Sequence, residues 1–251
     1  MAGFSIQKIM RRFFIEKDDI KGSTVTLRED EAHHLKTVLR MEAGTLVELL
    51  DGQGSIYIAE IKTTTPRVSL MICSHETAPE SKPVIDVAQG MLHGKKMDFL
   101  VQKAAELGVG SILPFQSQHS TLRNPSPNKI NRWQKIAFEA SKQCRRPYPM
   151  KIKPLITLGD ILTSSSNYSL KVVLWEQEKN NTLTGLPDIH NMDSLLVIIG
   201  PEGGFATKEI DTCIDAGFIS VSMGSRTLRA ETAALSIMAI LQFLAGNLGG
   251  P

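Results

Sequence analysis

The segment LLVIIGPEGGF, from Leu195 to Phe205, is the clearest indication of the fold class of this chain. Its first five residues are an unbroken apolar run, which is typical of a parallel strand that is covered on both faces. Gly200, Gly203 and Gly204 follow at once. Because glycine has no Cβ, such a loop at the carboxyl end of a strand lets a ligand approach the backbone closely. A tight turn into the next helix is the plainer interpretation, and this loop alone does not decide between the two.

A second glycine loop lies in SMGSRTLRAETAAL, from Ser222 to Leu235, again directly after an apolar strand. Two such loops at strand ends predict a ligand cleft at one edge of the sheet. The loop also carries Arg226, Arg229 and Glu231, which either contact a ligand or serve as surface cations and a favourable charge at a helix N-terminus. Neither loop reads GxGxxG or GxxxxGK[ST], so the dinucleotide and P-loop interpretations lack their motifs.

Strands alternate with helices on both sides of these loops, from Pro83 to the end of the chain. This alternation predicts an α/β domain with a mostly parallel sheet. Thr207 is the expected N-cap of the helix that follows the first loop. The expected strands are VIDVAQGML, SILPF, KVVLWE, LLVIIG and FISVSMG, and the expected helices are Met97–Leu107, Lys129–Gln143, Thr207–Ala216 and Ala230–Ala245.

The chain before Pro83 has a different pattern, with short β-rich runs joined by turns such as Asp51-Gly52 and Gln53-Gly54. One helix is expected from Glu29 to Leu39. A small β-barrel with one helix accounts for this pattern, and the polar stretch Ser74–Pro83 reads as a linker. The predicted domains are therefore residues 1–76 and residues 83–251.

The net charge of the 251-residue chain is only +2, so the total charge does not indicate a nucleic acid. Its distribution is uneven, because residues 116–153 hold nine basic residues and one acidic residue, Glu139. A charged helix face is usually just solvated. An excess of this size favours a polyanionic partner, RNA or DNA.

Cysteines and histidines indicate neither disulfides nor a metal site. The three cysteines form no CxxC pair, which fits a reducing, cytoplasmic location. His33 and His34 have no third ligand in view and are expected to be ordinary helix residues. The uncharged stretch Thr232–Pro251 has a strongly apolar part that suits a buried helix better than a membrane span.

Four segments, in this order, resemble one family: KKMDFLVQKAAELGVGSILPF, WQKIAFEASKQCRR, LLVIIGPEGGF and SMGSRTLRAETA. The family is the bacterial 16S ribosomal RNA uracil N3-methyltransferases, which belong to the SPOUT class of knotted methyltransferases. MRRFFIE and HHLKTVLRMEAG resemble its PUA-like RNA-binding domain. The resemblance covers nearly the whole chain from Met10, and GPEGGF with LRAETA is specific as a pair. One departure is His119-Ser120, where the family often has an arginine before the serine.

The resemblance implies a SPOUT α/β domain with a deep trefoil knot, through which the last helix passes, after a PUA-like β-barrel. It implies that S-adenosylmethionine binds in the knot in a bent shape and that the protein is a homodimer with each active site near the subunit interface. The implied substrate is the uridine conventionally numbered 1498 in the small-subunit RNA. No metal and no membrane are implied.

The residues at the family's motif positions, in and beside the two glycine loops, are therefore expected to bind the cofactor. Leu174, Met223 and Leu228 would supply apolar surface around adenine, and the glycines would supply backbone hydrogen bonds. The full set is Leu174, Gly200, Glu202, Gly203, Gly204, Met223, Gly224, Ser225 and Leu228.

The implied chemistry needs help at uridine N3, which carries a proton and is a poor nucleophile while neutral. An arginine that donates to a uracil carbonyl oxygen would stabilise the negative charge that develops on the ring. We nominate Arg229 for this role, with Arg226 as its rival, while Glu231 orients the arginine or caps the helix. Glu202 binds or orients the substrate, or acts as a base, which would need a raised pKa.

RNA capture would be shared by both domains through phosphate contacts, which position RNA without reading its sequence. The candidates are Arg11, Arg12, Arg40, Arg123, Lys129, Arg132, Lys142, Arg145 and Arg146. Two other functions remain open: a non-catalytic RNA-binding ribosome-assembly factor, and a nucleotide-dependent enzyme of the doubly wound type. Intact glycine loops argue against the first, and the absent nucleotide motifs against the second.

Overall fold

Two sheets organise the chain, and each belongs to its own compact unit. The computed structural model describes residues 10–120 and 126–249. The first unit extends to Glu80 and also includes Arg145–Tyr148, and the second comprises Ser81–Cys144 and the chain from Pro149 onward. Within the first unit, the Tyr148 hydroxyl donates to the Ala78 carbonyl oxygen at 3.1 Å.

The first unit is a six-stranded sheet with the order β1-β4-β5-β6-β3-β2. β1 pairs with β4 in parallel and the other neighbours are antiparallel. Its core contains Phe13, Val47, Ile61 and Leu70, all with no exposed surface. The strands are β1 (Arg12–Phe14), β2 (Ile20–Lys21), β3 (Thr24–Thr26), β4 (Leu46–Leu50), β5 (Ser55–Thr63) and β6 (Ser69–Thr77), with a 3-10 turn at Lys17–Asp19.

The helix of the first unit is present where it was predicted. α1 spans Glu29–His33 and continues as a wider π-helical turn over His34–Val38. Leu35 is fully buried against the sheet, whereas Val38, three residues later at the end of the wider turn, is 61% exposed. The wider turn changes the angular spacing of side chains, which explains why the 3.6-residue pattern fails at its end.

The predicted linker begins too early. β6 runs to Thr77, and Glu76 and Thr77 pair with Ile56 and Ser55 of β5. Polar residues are compatible with this strand because the ladder uses backbone groups and most of these side chains face solvent. The polar composition predicted a linker where the solvent-exposed end of β6 continues the strand.

The second unit confirms the predicted α/β architecture. Its sheet has the order β10-β8-β7-β12-β11-β13, with β9 also beside β8, and every pairing in it is parallel. The strands are β7 (Val84–Gly90), β8 (Ser111–Gln116), β9 (Lys151–Ile152), β10 (Ile156–Thr157), β11 (Leu170–Leu174), β12 (Ser194–Ile199) and β13 (Ile219–Val221).

Helices pack on both faces of this sheet. Leu100, Trp133 and Leu241 of three helices contribute to the core on one face, and Ile210 and Cys213 to the core on the other. The helices are α2 (Lys96–Glu106), α3 (Pro127–Gln143), α4 (Leu158–Ser164), α5 (Thr207–Asp215) and α6 (Ala230–Leu244), with 3-10 turns at Ser165–Asn167 and Leu183–Gly185.

Thr207 is not the N-cap of α5, contrary to the prediction. The N-cap is Ala206, whose backbone N–H donates to Glu209 Oε2 at 3.0 Å. The other oxygen, Oε1, accepts the Gln118 N–H at 2.8 Å. A carboxylate in the first turn thus satisfies a free backbone donor and also joins the loop after β8 to the start of α5.

The last helix, α6, is buried along one side. Ala234, Ile237, Met238 and Leu241 are fully buried in the core, whereas Phe243 and Leu244 are 48% and 37% exposed. The near-uniform apolar composition of this helix fits burial on both sides, by core packing or by a subunit interface. Within this chain, core packing buries one side and leaves apolar side chains exposed at the carboxyl-terminal end.

Candidate active site

Three parallel strands end side by side at one edge of the second unit's sheet. β11 lies between β12 and β13, so that Val172 is opposite Val197 on one side and Ile219 on the other. The loops that leave these strands, residues 175–181, 200–206 and 222–229, therefore meet. They border a cavity of about 510 Å³ to which the starts of α2 and α6 also contribute.

All nine residues nominated for cofactor binding line this one cavity, together with Arg226 and Arg229. The strand order accounts for this convergence, since the nominated residues follow three neighbouring strands. The sequence patterns missed Lys96, Trp175, Glu176 and Phe205, which also form part of the wall. Lys96 lies inside the segment KKMDF, but nothing in its spacing shows that the start of α2 meets the glycine loops.

The glycine loop after β12 is tightly packed, and its neighbours explain why side chains are excluded. Gly204 has φ +67°, and a Cβ there would stand 2.7 Å from Glu176 Oε1. A Cβ on Gly203 would stand 3.2 Å from the Cβ and the carbonyl oxygen of His119. His119, at the departure from the family pattern, also places Nδ1 3.2 Å from the Gly203 carbonyl oxygen.

Glu202 is held by the loop that follows β7. Its Oε1 accepts the backbone N–H of His93 at 3.1 Å, and its Oε2 lies 2.9 Å from His93 Nδ1. Lys96 Nζ lies 3.1 Å from the same Oε1. The Glu202 side chain is 26% exposed, and its carboxylate already contacts three groups: the His93 backbone N–H, His93 Nδ1 and Lys96 Nζ. These contacts fix the carboxylate in one orientation.

These contacts argue against Glu202 as a base. Partial burial raises the pKa of Glu202. The hydrogen bonds from the His93 side chain and backbone, together with Lys96, lower it by more than burial raises it, and the pKa falls from 4.5 to about 2. A group with this pKa stays ionised at neutral pH and accepts a proton poorly. Of the alternatives open from sequence, an orienting or binding role fits the structure.

Lys96 joins two carboxylates that are distant in sequence. Besides Glu202, its Nζ lies 3.4 Å from Oε2 of Glu231, which is in the first turn of α6. The hydrogen bond with Glu202 is the largest influence on the pKa of Lys96 and raises it, so the side chain is a cation at neutral pH. Glu231 therefore faces Lys96, which was not among the partners considered from sequence.

The guanidinium groups of Arg226 and Arg229, unlike the Lys96 ammonium group, are not held by neighbouring side chains in the described part of the chain. Both are exposed at the cavity, and no described residue forms a hydrogen bond or ion pair with either guanidinium group. Arg229 is the N-cap residue of α6, with extended backbone angles, and its side chain extends from the helix start. Both arginines are thus available to a ligand, and the structure does not rank them.

The loop after β11 owes its shape to Glu178. Its Oε1 accepts the backbone N–H groups of Lys179, Asn180 and Asn181 at 2.8–3.2 Å, and its Oε2 accepts the Ser220 hydroxyl. That hydroxyl contact is the largest cause of the lowered pKa of Glu178. The loop that carries Glu176 into the cavity is therefore anchored to β13.

The nominated RNA contacts have unequal environments. Arg12 is only 9% exposed and pairs with Glu48 of the adjacent strand, so it ties β1 to β4 and is not available to phosphate. Arg132 pairs with Asp98 at 2.7 Å, and Lys142 lies 3.4 Å from Glu139. Arg11, Arg40 and Arg145 are exposed, Lys129 and Arg146 are half-buried, and Arg123 lies outside the described residues.

Within the part of the chain that the structure describes, no helix is long and apolar enough to cross a membrane. No group of three or more histidine, cysteine, aspartate or glutamate side chains there is arranged to hold a metal ion.

Comparison with known proteins assigns this arrangement to a family. A family model described as an RNA methyltransferase domain matches residues 79–242. The chain belongs to this RNA methyltransferase family. A second model, described as an RNA methyltransferase PUA domain, matches residues 27–67 of the first unit.

Relatives of this methyltransferase match over almost their full lengths. The ribosomal RNA small subunit methyltransferase E of Mesomycoplasma hyopneumoniae is 31% identical, over 91% of this chain and 97% of that protein. The Neisseria gonorrhoeae protein of the same name, solved bound to S-adenosyl methionine, is 30% identical with a TM-score of 0.85 over 94% of this chain and 98% of that one. A Legionella pneumophila methyltransferase solved with S-adenosylmethionine is 28% identical with a TM-score of 0.83, over 93% and 97%.

These matches confirm the predicted family and fold class, a SPOUT-type α/β methyltransferase domain with an N-terminal PUA-like domain. The threaded path of the trefoil knot and the homodimer stay predictions.

Proposed function

We propose that this protein transfers a methyl group from S-adenosylmethionine to N3 of one uridine, conventionally number 1498, in the 16S RNA of the small ribosomal subunit. The observation that carries the proposal is the single cavity at the sheet edge, which gathers the GPEGGF and LRAETA loops of an RNA methyltransferase domain. Relatives named small subunit methyltransferase E support the choice of RNA.

The cavity suits the cofactor in both size and chemistry. A volume of about 510 Å³ is within the range of small-molecule sites. Apolar wall from Leu174, Met223 and Leu228 fits an adenine ring, and the loops at Gly200 and Gly224 expose backbone donors and acceptors. When bound, the cofactor would supply an electrophilic methyl group on a positively charged sulfur.

The residues of this chain would then prepare the uracil. Arg229 donates hydrogen bonds to a carbonyl oxygen of the ring, with Arg226 as the alternative donor. Glu202 stays ionised and keeps the start of α2 against the glycine loop through His93 and Lys96. For Arg229→Ala we expect a loss of about 100-fold in kcat with little change in cofactor affinity. Full turnover by this variant would exclude the Arg229 assignment.

Substrate capture and assembly complete the proposal. Exposed basic residues such as Arg11, Arg40 and Arg145 contact RNA phosphates from the first unit. A second copy of the chain covers the exposed apolar end of α6, which makes the protein a homodimer. We place the protein in the cytoplasm, where the small subunit is assembled, with no requirement for a metal.

The first experiment is methyl transfer from labelled S-adenosylmethionine to purified small subunits that lack the modification, followed by mass spectrometry of the digested RNA. We expect 3-methyluridine at one position. Label on a ribose or on another base atom would contradict the uridine N3 assignment. Absence of cofactor binding by calorimetry would favour a non-catalytic RNA-binding assembly factor instead.

A further inference from the structure

A lysine outside the glycine loops lies in the wall of the cavity. Lys96 is the first residue of α2, and its ammonium group is placed by Glu202 Oε1 at 3.1 Å and Glu231 Oε2 at 3.4 Å. The two carboxylates belong to the loop after β12 and to the first turn of α6. Lys96 is therefore held from both sides before any ligand arrives.

The ammonium group has a donor to spare. It has three N–H donors and no acceptor, and the two carboxylates lie within ion-pair distance of it, at 3.1 Å and 3.4 Å. The contacts with these carboxylates raise the pKa of Lys96, so the group is a cation at neutral pH and does not act as a base. Because three donors meet only two carboxylates, and the Lys96 side chain is 36% exposed at the cavity wall, this cation keeps a donor for a ligand.

This arrangement differs from that of the nearby arginines. Arg226 and Arg229 are exposed, and no described residue fixes their guanidinium groups. Donors that are already in place when charge develops stabilise a transition state more than donors that must first be ordered. Among the cations of the cavity wall, Lys96 meets this condition best.

We propose that Lys96 is a further catalytic residue, whose spare N–H donates to a uracil carbonyl oxygen adjacent to N3 and stabilises the negative charge that develops on the ring. This inference rests on the proposed function, since it concerns the same reaction. As the N3–H bond breaks, the proton passes to water. N3 would supply the electron pair of the new bond to the methyl carbon. The carbon–sulfur bond would break at the same time, and the electron pair of that bond would remain on sulfur.

A substrate whose N3 is more acidic separates this role from a purely structural one. Fluorine at uracil C5 withdraws electrons, so a 5-fluorouridine ring needs less help to carry negative charge. The experiment measures kcat and cofactor KM with small subunits that contain uridine or 5-fluorouridine at the target. The variants are Lys96→Met, Lys96→Gln and Lys96→Arg, and Lys95→Met is the matched control because Lys95 is exposed and is not part of the cavity wall.

With uridine we expect Lys96→Met and Lys96→Gln to lower kcat by about 100-fold, the effect of removing one transition-state donor. With 5-fluorouridine, the fall in kcat that these two variants cause should be at least several-fold smaller than the fall with uridine. Lys96→Arg should retain more activity than the uncharged variants, and Lys95→Met should match the wild type. Comparable melting temperatures and cofactor affinities by calorimetry would show that the fold and the cofactor site are intact.

Equal losses on the two substrates, or a loss confined to the cofactor KM, would overturn the proposal, because Lys96 would then only hold Glu202 and Glu231 together. The wild-type arm tests the proposed function separately. If the wild-type protein forms no 3-methyluridine, the function itself fails, whatever the variants do.

Discussion

At the scale of single residues, the contacts of Glu202 decide which form its carboxyl group takes. Partial burial opposes ionisation, but His93 and Lys96 outweigh it and bring the pKa to about 2. The ionised carboxylate is what holds the loop after β7 against the glycine loop. Glu202, which the sequence allowed as a base, therefore holds the loop in place, and it does so as an ionised carboxylate.

A pH dependence of stability follows from this lowered pKa. Because the folded-state pKa is about 2 and the ordinary value is 4.5, Glu202 contributes its stabilisation above about pH 4.5 and loses it as the pH falls toward 2. We expect Glu202→Gln to be less stable than the wild type at pH 6, with a difference that shrinks below pH 4.5. Denaturant unfolding of both proteins between pH 6 and pH 3 measures this difference in stability. A difference that does not change with pH would refute the prediction.

The surroundings of each basic residue also separate two adjacent arginines. Arg11 is exposed, whereas Arg12 is nearly buried and paired with Glu48. Charge alone made both of them candidate phosphate contacts. The two differ because Arg12, the first residue of β1, pairs with Glu48 of β4, whereas Arg11 precedes the strand and is exposed.

We therefore expect opposite effects from the two substitutions. Arg11→Ala should weaken RNA binding and lower the slope of log affinity against log salt by about 1, as for one lost phosphate contact. Arg12→Ala should leave that slope unchanged and lower the free energy of unfolding by about 3 kcal/mol, because it leaves Glu48 without its partner. Salt titrations and denaturant unfolding of both variants are the measurements. An altered salt slope for Arg12→Ala would contradict this division.

At the scale of elements, the site depends on backbone that only glycine adopts easily. Gly204 has φ +67° in the loop between β12 and α5, and its Cα faces Glu176 from the loop after β11. A side chain there would be strained and would also displace the Glu176 carboxylate within the cavity. Loop conformation and cavity shape are thus linked at one position.

Gly204→Ala should weaken cofactor binding by about 10-fold or more, in keeping with a strained and partly filled site. Gly22→Ala is the matched control, because Gly22 has a similar φ of +62° but no atom within 4 Å of an added Cβ. Both variants should lose about 1 kcal/mol of stability from backbone strain. Calorimetry should show weaker cofactor binding for Gly204→Ala alone. Equal affinities for the two variants would count against the cavity as the cofactor site.

At the scale of the whole molecule, the chain leaves apolar surface at the end of α6. Phe243 and Leu248 are each 48% exposed, and Leu244 is 37% exposed. A cluster of this kind is more readily explained by a covering partner than by free exposure to water. A second copy of the chain is the partner that the family resemblance implies.

Phe243→Glu is expected to shift the protein from dimer to monomer by placing a charge in an apolar interface. Ile214→Glu on α5 is the control, since Ile214 is similarly exposed at 47% but lies on another helix. Sedimentation velocity of the wild type and both variants decides the matter. A monomeric wild type, or a Phe243→Glu variant that stays dimeric, would contradict this interface.

The local features of this protein could be predicted from its sequence: the apolar strands, the helix periods, the glycine loops and, through the paired motifs, the family. These features depend on neighbouring residues in the chain, so spacing and composition reveal them. Which distant residues come together, in contrast, depends on how the strands and helices pack. The parallel order of β12, β11 and β13 gathers the nominated cofactor residues, and Lys96 meets Glu202 and Glu231 because α2 begins at that same edge. Whether an arginine is free, as Arg11 is, or neutralised, as Arg12 is, depends on burial and on a partner from a distant strand, which no local pattern encodes.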